Sequence, residues 1–111
     1  MTLKQLEQII FVRSEIDVLN RRLRKKELNG NEVDEIRNII ESRKRILEGK
    51  LLEAEKFISE ITDSKIRTLL TLRFLEGEYW EDVGKNVHWK ISGDAARKSV
   101  MRFFGKDLEC P

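Results

Sequence analysis

Proline is all but missing from this chain of 111 residues: its one proline, Pro111, is the last residue. A proline inside a helix removes a hydrogen bond and clashes with the preceding turn, so its absence permits long uninterrupted helices. Cysteine is as scarce. Cys110 has no second thiol to pair with, which excludes an internal disulfide and leaves an incidental thiol in the tail. His88 is the single histidine, and no cysteine–histidine set stands at metal-ligand spacing. The chain also lacks a nucleophile–base–orienter set and a glycine-rich phosphate loop. No catalytic role, metal or cofactor is therefore expected. Long apolar runs are missing too: nothing approaches eighteen uncharged apolar residues, which excludes a membrane-spanning helix. Met1-Thr2-Leu3-Lys4-Gln5 has no apolar core of a signal peptide, so the cytoplasm is the expected compartment.

Charge is abundant, at 38% of residues, but nearly cancels, leaving a net charge of +2. The balance alone identifies no nucleic-acid binder; where the charges sit must decide. The length suits one compact unit, or two small helical pieces that share a core.

Thr2 with Gln5 three residues later reads as a capping box. From there Leu6, Ile9, Val12, Ile16, Leu19 and Leu23 recur every three or four residues, the stripe of an amphipathic helix running to about Leu28. Asn29-Gly30-Asn31 breaks it: Gly30 takes the left-handed conformation that ends a helix, and Asn31 with Asp34 starts the next. The second stripe is Val33, Ile36, Ile40, Leu47, Leu51, Ala54, Ile58 and Ile61. It is interrupted at Arg43, whose stem is expected to cover the seam while its head stays in water. So short a connection makes the two helices antiparallel, each about 40 Å long at ~1.5 Å per residue. A hairpin of that length has too little core to stand alone, which predicts a homodimer through the hairpin.

Thr62-Asp63-Ser64 opens a new helix, capped by Asp63 or Thr62, that carries Ile66, Leu69, Leu70 and Phe74 and ends at Gly77. A short helix follows from Trp80 to about Asn86, with Glu81 and Asp82 where they complement its dipole. Val87-His88-Trp89-Lys90-Ile91 is a loop, and Ser92 or Asp94 caps the last helix. That helix aligns Ala96, Val100 and Phe103 or Phe104 on one face. Trp80 reads as core between the third and fourth helices. Trp89 is either a lid over the turn or an exposed contact.

A helix, a short helix containing a small residue, a turn and a capped helix make a helix-turn-helix plan. The informative small residue is Gly84, where the first helix of such a pair crosses the second. Leu72-Arg73-Phe74-Leu75-Glu76-Gly77, Trp80-Glu81-Asp82-Val83-Gly84, and Ser92 through Ala96-Arg97-Lys98 to Arg102-Phe103-Phe104 together resemble region 4 of bacterial sigma factors. More closely, the chain resembles small phage-encoded proteins that set a helical hairpin before a domain of that type. It departs from the pattern in three places. Tyr79 stands where a serine or threonine cap is usual, His88 replaces the turn glycine, and Gly84 to Ala96 is twelve residues, about two longer than a tight helix-turn-helix allows. The fold class expected is all-α: a long antiparallel hairpin over residues 1–61, then a three-helix helix-turn-helix domain over 62–111.

The resemblance implies DNA contacts from the last helix. Its candidate residues are Ser92, Asp94, Arg97, Lys98, Met101 and Arg102, the cations pairing with guanine acceptors or phosphates. Asp94 has three readings: a helix cap, a reader of a cytosine amino group, or a charge that repels phosphate. A secondary basic patch comprises Arg21, Arg22, Arg24, Lys25 and Lys26, with Arg43-Lys44-Arg45 as a further run. Such runs suit phosphate backbone or RNA, but partial neutralisation by Glu32, Asp34 and Glu35 across the hairpin is the favoured expectation over a dedicated site. The leading expectation is a DNA-binding transcriptional regulator whose hairpin dimerises it or docks on a host protein such as RNA polymerase. The rival is an inhibitor that binds a host protein, such as a nuclease of a defence system, in place of DNA. A third reading is a purely structural coiled-coil adaptor.

Overall fold

The computed structural model describes residues 1–105, whose regular secondary structure is all helix, with no strand. Cys110 and the last six positions of the 62–111 unit lie outside the described residues. Helix α1 spans Leu3–Leu28 and α2 spans Asp34–Ser59. Residues Thr2 and Gln5 close the expected capping box: Gln5 N–H donates to Thr2 Oγ1 at 3.2 Å, and Thr2 N–H donates to Gln5 Oε1 at 2.8 Å. Between the helices Gly30 sits at φ +71°, the left-handed geometry that glycine adopts without a Cβ clash. The start of α2 differs from expectation. Asn31 does not cap it; Glu32 folds back, and its Oε1 accepts the backbone N–H groups of Val33 and Asp34, both at 3.0 Å. A carboxylate there also suits the positive end of the helix dipole, and these bonds, Asp34's first, hold the Glu32 carboxyl below its ordinary pKa.

The pair runs antiparallel, because partners rise along α1 as they fall along α2: Glu15 meets Arg43 at 2.9 Å, and Glu27 meets Arg37 at 3.5 Å. Arg43 thus crosses the seam toward a carboxylate as well as toward water. Two apolar clusters lie along the hairpin. Near its free end Leu19, Ile36 and Ile40 are buried together, flanked by Leu23 and Ile39. At the other end Leu6, Ile9, Ala54 and Ile58 join one large core with the C-terminal helices.

Those helices are α3 at Ser64–Leu70, α4 at Trp80–Asn86 and α5 at Gly93–Phe103. Asp63, and not Thr62, caps α3 through Lys65 and Ile66 N–H. The third helix does not simply stop at Gly77. It widens into a π-helical segment, Thr71–Leu75, where Glu76 N–H reaches back five residues to the Thr71 carbonyl at 2.9 Å. The segment's last carbonyls, those of Phe74 and Leu75, accept from the Arg13 guanidinium of α1. Gly77 makes room for that arginine: a Cβ there would lie 2.6 Å from Arg13 Nη1, and its φ of +75° is left-handed besides. One α1 side chain therefore ties the hairpin to the C-terminal helices. The described chain measures 50 × 31 × 25 Å. No described helix is long and apolar enough to cross a membrane.

Candidate nucleic-acid interface

The α4–turn–α5 corner is built by two glycines. A Cβ on Gly84 would lie 2.1 Å from the Ile91 carbonyl oxygen, so the turn packs directly on the α4 backbone. Ile91 N–H closes the same contact by donating to the Gly84 carbonyl at 3.2 Å. The need for a small residue at Gly84 was legible, but its neighbour is the turn and not the second helix. The close approach of helix to helix falls to Gly93, whose Cβ would stand 2.7 Å from Glu81 N and 2.8 Å from Trp80 C. Gly93 was missed because a glycine between Ser92 and Asp94 reads as loop composition. Tyr79 holds the α4 cap position without a side-chain hydrogen bond. The left-handed turn residue is Lys90, at φ 32°, and not His88. Trp89 proves a lid: it is half-buried against the main core, with Lys65 Nζ 5.5 Å from its ring centroid. Trp80 is only half-buried, with its ring edge-on to Phe74 at 6.3 Å and Arg73 Cζ 5.1 Å away. The Arg73 guanidinium is accordingly desolvated, which lowers its pKa.

Helix α5 docks through Ala96 and Val100, both fully buried. Phe104 completes that contact, stacked on Phe57 with ring centroids 6.1 Å apart, while Phe103 stays exposed. The six candidate residues then separate by role. Ser92 is the cap: its Oγ accepts Ala95 N–H at 3.0 Å. Asp94 is thereby released from capping and binds both neighbouring cations, Arg97 Nη2 and Lys98 Nζ, each at 3.1 Å. Lys98 first and Arg97 second hold the Asp94 carboxyl below the usual 3.8. Arg97 and Met101 are half-buried and line a cleft of about 220 Å³ that α1 closes with Glu7 and Phe11. Lys98 and Arg102 are exposed on the outer face with Asp94.

The secondary patch stands apart, at the free end of the hairpin. Among the described residues the expected partial neutralisation does not take the form of direct ion pairs. Glu32 is committed to backbone N–H groups, and Asp34 and Glu27 both face Arg37. Among the described residues no carboxylate comes within 4.0 Å of Arg21, Arg22, Arg24, Lys25 or Lys26. Among the described residues no group of three histidine, cysteine or acidic side chains is placed to hold a metal ion. No family model, curated protein or solved structure matches the chain.

Proposed function

We propose that the chain is a DNA-binding transcriptional regulator acting by occupancy, with α4 and α5 as a helix-turn-helix. The observation that carries this is the pair of glycine contacts, Gly84 on the turn and Gly93 on α4. They brace a capped helix from behind and leave Asp94, Lys98 and Arg102 exposed along its outer face. A second helix so presented enters the major groove with its N-terminal residues at base edges. Lys98 and Arg102 then meet phosphates or guanine acceptors, and Arg97 follows when phosphate displaces it from Asp94. Asp94, freed in turn, accepts from a cytosine amino group or opposes a phosphate, and so acts as a selector. The resemblance to small phage-encoded proteins supports a phage as the source of such a regulator. In this reading two copies pair through the hairpin and present two α5 helices to a two-part site. Phe11 and Val18, both exposed and two helical turns apart on α1, supply apolar area for that pairing.

The test is binding to duplex fragments of the genome that encodes the chain, across a salt series. Lys98→Ala and Arg97→Ala should weaken binding by about 1–3 kcal/mol where the residue meets a base. Variants that bind like the parent, together with a nuclease-resistant complex with a host protein, would replace this reading by the inhibitor. A mass of one chain by light scattering, at micromolar concentration, would remove the dimer.

A further inference from the structure

The free end of the hairpin carries an excess of positive charge that the fold leaves uncompensated. Residues 20–46 hold nine lysines and arginines against five acids, whereas residues 1–19 and 47–61 hold four against seven. The hairpin is therefore polarised along its length, basic at the tip and acidic toward the base. Four of the five tip acids are already engaged: Glu27 and Asp34 with Arg37, Glu41 with Lys44, and Glu32 with backbone. Lys25 and Lys26 lie in the last turn of α1, where cations also complement the helix dipole. Arg21, Arg22 and Arg24 lie before that turn, so the dipole gives no reason for them.

We propose that this tip is a second nucleic-acid surface, one that holds the phosphate backbone of a DNA duplex. Three observations favour phosphate over other anionic partners. At about 100° per residue, the tip cations spread around most of the outer circumference of α1, not along one flat stripe. The hairpin has no aromatic residue between Phe11 and Phe57, so it lacks the aromatic anchors on which protein interfaces depend. Within residues 20–46 the inner apolar side chains are spent inside the hairpin, Leu23 packing with Leu19, Ile36, Ile39 and Ile40, and the two exposed ones, Leu28 and Ile46, lie on different helices, so the tip has no apolar stripe to enter a lipid surface. Long cationic side chains on a stiff helix, with neither anchor nor apolar face, make contacts that read no sequence and depend strongly on salt. The tip would add affinity and leave selection to α5. In sharing DNA as its ligand the inference rests on the function proposed above, but its residues are separate.

The experiment uses the whole chain and a fluorescent 20-base-pair duplex of arbitrary sequence, titrated by anisotropy over a salt series. Arg21→Gln, Arg22→Gln, Arg24→Gln and Lys25→Gln are combined in one variant. Glutamine keeps helix propensity close to that of the cations, and circular dichroism checks that helix content is retained. The variant should bind at least tenfold more weakly near 0.1 M salt. Its slope of log K against log salt should flatten by about 0.9 for each phosphate that the protein no longer neutralises. Glu35→Gln, which removes the one unengaged tip acid, should instead tighten binding a few-fold. A combined variant that binds the duplex like the parent overturns the inference, and so does one that loses only binding to vesicles of anionic lipid. If the tip variant weakens binding to this duplex while Lys98→Ala and Arg97→Ala leave binding to the genomic fragments unchanged, the α5 reading falls and this one stands; the reverse result does the opposite.

Discussion

At its base the hairpin is gripped: Leu6 and Ile9 of α1 and Ala54 and Ile58 of α2 enter the same core as Leu70, Phe74, Val83 and Val100. At its tip only Leu19, Ile36 and Ile40 are buried, and the helices hold one another with little help. Contacts at the base are also made by backbone: turn on helix at Gly84, helix on helix at Gly93, guanidinium on carbonyls at Arg13. At the tip they are pairs of exposed charges such as Arg37 with Glu27, which are worth little individually. The difference teaches where this molecule can vary. Backbone-to-backbone contact tolerates no added atom, whereas a solvated ion pair can be removed or replaced with small effect. On the proposed reading, a rigid base would also suit the outer face of α5, which base recognition needs in one geometry, while phosphate contacts at the tip would require only charge and reach.

The comparison breaks most readily at Gly84. Gly84→Ala sets a methyl group 2.1 Å from a carbonyl oxygen, and should cost about 3 kcal/mol by urea denaturation, as overpacking does where nothing flexible can yield. A cost below about 1 kcal/mol would show that the turn shifts freely and that the base is no stiffer than the tip. Next in size is Arg13→Ala. It leaves the Phe74 and Leu75 carbonyls without their charged donor and should cost about 2 kcal/mol. Faster amide hydrogen exchange along Thr71–Leu75 would accompany it. Arg13→Lys should rescue only part of this, since an ammonium cannot fork to two carbonyls. Gly49→Ala sharpens the contrast from the other side. A Cβ there meets nothing within 4 Å, inside α2, so the variant should gain about 1 kcal/mol from helix propensity. The smallest effect belongs to pH. Asp94 has a lowered pKa in the folded chain, so its pairing is present above the ordinary aspartate range and is lost as pH falls through the lower folded value. Carboxyl NMR should place its midpoint below 3.8, with little change in global stability because the group is fully exposed. A midpoint at or above that value would mean that Arg97 and Lys98 are not held by Asp94.

The sequence alone determined the helices and their faces. Thr2 with Gln5 marks the first helix start, the pairs Thr62 or Asp63 and Ser92 or Asp94 mark two more, between which the structure chose Asp63 and Ser92, and the spacing of Leu6 to Leu19 names the buried side of α1. Such features depend on neighbours within one or two turns, so periodicity and capping chemistry expose them. It also set the all-helical class and the candidates on α5, although not how those six residues divide among cap, ion pair, cleft and outer face. The tertiary structure alone decided what arrives at each face. Arg13 finds carbonyls 61 and 62 residues away. Gly93 takes the helix crossing, and Lys90 takes the left-handed turn. Four of the five acids of the hairpin tip go to Arg37, Lys44 and the α2 backbone, away from the basic run. The physical reason is one of range. An amphipathic stripe specifies that a side is apolar, but the register, crossing angle and rotamers that bring a particular partner within about 3 Å are settled only when all the helices pack at once.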